Sequence, residues 1–188
     1  MITRVYISHS ERDEGMALEL SQAFWRVGLE SYVNMNNICP GISHAERTSF
    51  GIRNSECLVA LLTEEGCRST TVNQEIGFAK GIDLLIIPLL EKNTKLPFLI
   101  DHLRPISFTP SDYKDAIGLL IKTIRDLSTL EWLKVSCPKC CEEMTQYLTP
   151  QDEVDDALRK GSYLETICSY CQNKISLDPR TFEPLREP

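Results

Sequence analysis

The chain has 188 residues, a formal charge of −7, 42% hydrophobic and 25% charged residues, the balance of a globular protein rather than a disordered or fibrous one. Its acidity argues against a nucleic-acid or anionic-membrane partner, which requires clustered Lys and Arg. No basic segment followed by an apolar run opens the chain, and the longest purely apolar stretch, Leu84 to Leu90, is far short of a membrane span, so a cytoplasmic protein is expected.

The first elements alternate between two periods. "RVYIS" (Arg4–Ser8) reads as a short strand. Asp13–Gly28 then places Met16, Ala17, Leu20, Phe24 and Val27 on one helical face, with Gly28 as its stop. Glu30–Asn34 is a second strand, and Asn34–Gly41 is a loop by its Asn, Pro and Gly content. Ser43 and Glu46 have capping-box spacing for a helix ending near Asn54. "CLVALLT" (Cys57–Thr63) is apolar throughout, as a strand buried on both faces must be. A helix over Ser69–Gly81, an apolar strand Leu84–Leu90, a weaker strand Arg104–Phe108 and a helical spacing within Ser111–Leu133 follow. Ser111 or Asp112 is the expected cap of that last helix.

About five strand–helix alternations predict an α/β fold with an open parallel sheet and helices on both faces. The flavodoxin-like order 2-1-3-4-5 is the natural one, and it places ligands at the switch point between strands 1 and 3. Ser8, His9 and Ser10 after strand 1 would line that crevice, opposite the start of the Ser69–Gly81 helix.

From about Lys134 the composition changes. Of 8 cysteines, five lie here, in "CPKC" (Cys137–Cys140), the adjacent Cys141, and "CSYC" (Cys168–Cys171). Two such pairs offer four thiolates in a tetrahedron, which suits structural zinc with Cys137, Cys140, Cys168 and Cys171 as ligands. A redox role normally uses one such pair at a helix start. A segment of this size holds few large apolar side chains, so a metal staple is expected. Its 7 Lys/Arg against 10 Asp/Glu disfavour nucleic-acid binding by the ribbon. No internal repeat is evident. The expected division is therefore 1–133 and 134–188.

Glu75 is the conspicuous polar residue of the Ser69–Gly81 helix. At 100° per residue it lies at the margin of the apolar stripe, with Val72 and Phe78 on either side. It reads either as a boundary residue reaching solvent or pairing with Arg68, or as a carboxylate facing the crevice. His9 likewise reads as a loop residue or as a site residue.

The order of segments resembles the TIR (Toll/interleukin-1 receptor) domain family. "VYISHSERD" is similar to its first box, "CPG" with "IRNSECLVALLT" to its second, and "STTVNQEIGFAKG" with "LLIIPLL" to the next helix and strand of its bacterial and archaeal members. The resemblance covers about Met1 to Leu133. It implies one of two activities: a non-enzymatic assembly module working through TIR–TIR contacts, or an enzyme that hydrolyses or cyclises NAD⁺. The enzymatic members carry a glutamate in the helix after strand 3, often in a Trp-Cys-x-x-Glu setting. Glu75 takes that place, whereas Thr71 and Val72 stand where the Trp and Cys would be. The resemblance further implies ribose or phosphate contacts from Ser8, His9, Ser10 and Arg12, closure by the loop from Asn34 to Gly41, and a homo-oligomer.

Overall fold

The structure, a computed structural model, describes residues 2–33, 41, 43–128 and 130–185. Its first half is laid down by strand parity. β1 (Arg4–Ser8) is followed by a 3₁₀ turn (Glu11–Asp13), α1 (Glu14–Arg26) and β2 (Glu30–Val33). Then come α2 (His44–Arg53), β3 (Cys57–Leu62), α3 (Glu64–Arg68), α4 (Thr70–Gly81), β4 (Leu85–Glu91), β5 (Ile106–Phe108) and α5 (Tyr113–Asp126). The five strands form a parallel sheet in the order β2-β1-β3-β4-β5, the arrangement the alternating pattern predicts. Every residue of β3 is buried, because it pairs on both edges and is covered on both faces.

Alternate residues of each strand face opposite sides. Val5 and Ile7, with Val59, Leu61, Ile87 and Leu89, join one core against α1 and α5. Tyr6, with Leu58, Ala60, Leu62, Ile86 and Leu90, joins the other, against α2 and α4. The helix termini follow their caps. Ser43 and Glu46 close a full capping box on α2. Ser69 caps α4 by accepting from the Val72 amide at 3.3 Å. Gly28 takes φ +78° just beyond α1, a conformation open to glycine.

The helical spacing after Ser111 yields a shorter helix than the span to Leu133 allows. α5 stops at Asp126, Leu127 is half exposed, and a period-2 pattern takes over at β6 (Trp132–Ser136), where Leu133 and Val135 point inward. β6 pairs antiparallel with β7 (Glu143–Tyr147); α6 (Gln151–Lys160) follows, then the antiparallel pair β8 (Leu164–Ile167) and β9 (Lys174–Leu177). The segment does not keep a core of its own. Leu133, Val135, Met144, Val154, Leu164, Ile175, Leu177 and Phe182 belong to the same apolar cluster as Phe24, Leu120 and Ile124. Lys122 to Asp155 at 2.7 Å and Lys134 over the Trp25 ring at 4.9 Å add polar contacts at its border. Among the described residues no helix is long and apolar enough to cross a membrane.

Candidate functional site

The C-terminal ends of β1 and β3 meet at the switch point, and Glu75 is brought there by α4. It is 3% exposed. The Tyr6 hydroxyl donates to its Oε1 at 2.8 Å, and the Ser8 hydroxyl donates to its Oε2 at 2.5 Å. Tyr6 and Ser8 are two apart on β1, so parity sends both toward α4. The Tyr6 ring is seated against α2, where a Cβ at Gly51 would lie 2.9 Å from Tyr6 Cε2; only glycine leaves that room. Arg68 does not pair with Glu75. It bonds Glu64 at 2.7 Å on its own helix.

The loop after β1 has its own polar lock. Ser10 donates to Asp13 Oδ2 at 2.5 Å, and Thr63 donates to the same oxygen at 2.7 Å while accepting from the Gly66 amide. Asp13 thus ties the two strand ends together. His9 Nδ1 lies 2.7 Å from the Ser10 carbonyl. A carbonyl only accepts, so Nδ1 carries the proton, and the buried Nε2, which has no hydrogen-bond partner among the described residues, is the acceptor of that tautomer.

Two cavities flank this centre. A polar one of about 440 Å³ is lined by His9, Arg12, His44, Arg68, Ser69 and Thr71 among others. Within it Arg12 pairs with Glu65 at 2.7 Å. A more apolar one of about 540 Å³ is lined by Tyr6, Tyr32, Val33, Gly41, Phe50 and Gly51 among others. Both volumes suit small ligands. Glu75 is not among the lining residues of either, but Tyr6 borders the apolar cavity, and Thr71, one turn before Glu75, borders the polar one. Of the residues expected at the site, Ser8 and Glu75 bond each other, Ser10, His9 and Arg12 cluster beside them, and Gly41 lies on the apolar side. Asn34 and most of the loop to Gly41 lie outside the described residues. Tyr6, Asp13 and Thr63 were not anticipated. Parity with Ser8 was the available signal for Tyr6.

The second candidate site is the cysteine cluster. The Cys137 amide donates to the Glu142 carbonyl at 2.9 Å and the Cys141 amide to the Cys137 carbonyl at 2.9 Å; the Cys168 and Gln172 amides repeat this with Asn173 and Cys168 at 2.8 and 3.0 Å. Cys141 and Gln172 take φ of 60° and 58°. The four sulfurs of Cys137, Cys140, Cys168 and Cys171 lie within 4.8 Å of one another. Cys137–Cys171 and Cys140–Cys168 are each 3.7 Å apart. That is too long for a disulfide and close to the ~3.8 Å edge of a tetrahedron whose ion sits ~2.3 Å from each sulfur. The Cys140 amide, against the effect of burial, leads in holding the Cys137 thiol down to about 7. At Cys140 the Glu142 amide favours the thiolate, but burial and the three neighbouring sulfurs outweigh it and push the thiol up to about 12. Packed this closely, the four sulfurs could all ionise only around a cation, and the set can hold a metal ion. Cys141 is exposed and outside it.

The same turn occurs a third time without cysteines, although the sequence shows no repeat. The Asp178 amide donates to Glu183 O at 2.9 Å, the Phe182 amide donates to Asp178 O at 2.8 Å, and Phe182 takes φ 55°. Asp178 and Thr181 stand where the ligands of the other two turns are. Arg180 Nε and Nη2 bond Asp178 at 2.9 and 2.8 Å, and its Nη1 reaches Asp115 of α5 at 3.0 Å.

The sheet order, the helices on both faces and the crevice at the β1–β3 switch point define the class: an open flavodoxin-like α/β fold. The family profile described as the TIR domain matches residues 5–121, and the chain belongs to that family. The fold is similar to the TIR domain of the Toll-related receptor TRR-2 from Hydra magnipapillata, at 20% identity and TM-score 0.55, covering 68% of this chain and 98% of that one. It is also similar to the TIR domains of the activated Roq1 resistosome, which recognises the pathogen effector XopQ, at 13% identity and TM-score 0.53, covering 65% and 99%. No curated protein matches the chain significantly.

Proposed function

We propose that this TIR domain cleaves NAD⁺ at the nicotinamide–ribosyl bond, with Glu75 as the catalytic carboxylate, in prokaryotic signalling or defence. The observation that carries the reading is the carboxylate of Glu75, buried at the switch point and held there by two neutral hydroxyl donors. Nicotinamide leaves NAD⁺ as a neutral base, so no general acid is needed. What the reaction needs is negative charge beside the ribose carbon as oxocarbenium character develops, or a transient carboxylate nucleophile. One glutamate meets either requirement, whereas ordinary glycosidases need two carboxyl groups. The flanking cavities suit the rest of the substrate. Arg12, Arg68 and the His9 acceptor belong to the chemistry of a diphosphate and ribose, and the Tyr6, Tyr32 and Phe50 surface to that of a flat ring. Water attack gives ADP-ribose, and capture of the cation by an atom of the same substrate gives a cyclic isomer.

In the same reading, residues 134–188 form a zinc-ribbon-like unit around a structural Zn²⁺ held by Cys137, Cys140, Cys168 and Cys171, and the protein works in the cytoplasm as a homo-oligomer through TIR–TIR contacts. The test is mass spectrometry of NAD⁺ reaction products at high protein concentration. Wild type should release nicotinamide, and Glu75→Gln should not; equal release by the two sinks Glu75's role. One observation favours a second reading, a non-enzymatic assembly module: a glutamate 3% exposed with both oxygens bonded also suits a structural strut between β1 and α4. That reading predicts no turnover by any assembled form and self-association that Glu75→Gln leaves intact.

A further inference from the structure

We propose that Tyr6 and Ser8 are positioning residues that fix the Glu75 carboxylate for the reaction; this rests on the reading of Glu75 as the catalytic group. A glutamate side chain has several rotatable bonds, and fixing it costs entropy that bound donors must offset. Here each carboxylate oxygen has its own donor, at 2.8 Å from Tyr6 and 2.5 Å from Ser8, and two anchors on two oxygens fix the plane of the group as well as its place. Both donors are neutral. A Lys or Arg in either position would also orient the carboxylate, but would offset the negative charge that a developing ribosyl cation requires. Hydroxyls orient it and leave its charge in force. Each oxygen has more than one acceptor direction, so a bond to a hydroxyl does not preclude an approach to substrate.

The donors are themselves rigid. Tyr6 is 2% exposed and Ser8 fully buried. Both belong to β1, which is paired with β2 and β3 on its two edges. The Tyr6 ring is set against Gly51 of α2. A carboxylate on α4 is thereby referenced to the sheet, through two buried side chains of one of its strands.

The experiment measures nicotinamide release from NAD⁺ by the full chain carrying Tyr6→Phe, Ser8→Ala or both, each checked by circular dichroism to be fully folded at the assay temperature. Loss of a hydrogen bond to a charged group should lower kcat about 10- to 100-fold per variant, with KM for NAD⁺ held within about twofold, since the loss falls on the reacting carboxylate and not on substrate binding. Repeating Tyr6→Phe in a Glu75→Asp background separates positioning from packing. The shorter carboxylate is withdrawn from Tyr6, so the further loss should shrink to less than about threefold. Wild-type kcat in Tyr6→Phe, or an undiminished loss in the Glu75→Asp background, overturns the inference while leaving Glu75 catalytic. If Tyr6→Phe does not fold, Ser8→Ala alone decides on the same kcat and KM criterion. Absence of nicotinamide release by wild type, or equal release by Glu75→Gln, overturns the catalytic reading and this inference with it.

Discussion

Arg180→Ala should destabilise the whole chain through a single buried carboxylate. Asp178 is 5% exposed. Burial alone would push its carboxyl up, but the Arg180 side chain, the Arg180 amide and the nearby positive charge hold it below the usual carboxylate range. Removing the guanidinium deletes the bonds of 2.9 and 2.8 Å to Asp178 and the bond of 3.0 Å to Asp115. Among the described residues, only the backbone amide of residue 180, at 2.9 Å, then serves Asp178. Breaking a buried pair costs about 3–5 kcal/mol. The Arg180 side chain is 35% exposed, so solvent screening reduces this to about 2 kcal/mol. The exposed Asp115 adds little. Urea denaturation of the protein prepared with zinc should show a lower midpoint with an unchanged slope. The pH dependence carries the sign. A depressed folded pKa contributes stability that is full above the unfolded value, near 4, and is lost as pH falls through the folded value. The gap between wild type and variant should therefore be constant at neutral pH and narrow below about pH 4. A gap under ~0.5 kcal/mol at pH 7, or one that does not narrow in acid, refutes the reasoning.

Gly51→Ala places a Cβ 2.9 Å from the Tyr6 ring and should cost about 1–3 kcal/mol in calorimetry, whereas Gly15→Ala meets open space on α1 and should be neutral or stabilising by up to ~1 kcal/mol. In folded protein prepared with zinc a thiol reagent should modify exposed Cys141 first and Cys57 last, because burial pushes the Cys57 thiol up to about 12; peptide mass spectrometry reads the order, and comparable rates contradict it. Stripping the metal with a chelator, or Cys168→Ser, should lower the thermal midpoint and raise amide exchange in β6–β9 and along the facing sides of α1 and α5, since these share one core. Exchange confined to β6–β9 would show that the core is not energetically continuous.

The parts legible in the sequence are those with a local cause. The continuous apolar run Cys57–Leu62 reads as a central strand, and the Ser43–Glu46 spacing located a helix start to the residue. The two Cys-x-x-Cys pairs named the four sulfurs that the structure brings together. Glu75 was visible as an exception to a helical stripe, but its partners were not. A tyrosine in a β-strand reads as core, and nothing local shows that its hydroxyl ends on a carboxylate 69 residues away. Arg12 reads as a free cation until its contact with Glu65 closes across 53 residues. Helical period alone carried the last helix too far, because an apolar Leu127 fits the stripe although it lies past the helix end.

The third turn shows most directly why pattern reading stops where it does. "DPRTFE" keeps the Pro, the basic residue and the Glu of "CPKCCE" but neither ligand cysteine, and matches "CSYCQN" at no position, yet the backbone makes the same two hydrogen bonds and the same positive φ. The turn is therefore set by the backbone, and its side chains decide what it holds. With thiolates converging from two copies, it can hold an ion. With Asp178 and Arg180 it holds an internal ion pair, and the guanidinium has a donor left for Asp115. The turn's last residue, Glu183, lies 3.4 Å from Lys114 and 3.8 Å from Arg26. Gly118 meanwhile lets the Arg180 backbone approach α5, since a Cβ there would lie 3.2 Å from Arg180 Cα. Two copies of one turn thus close the cluster on itself, and the third, freed from metal binding, fastens it to α1 and α5.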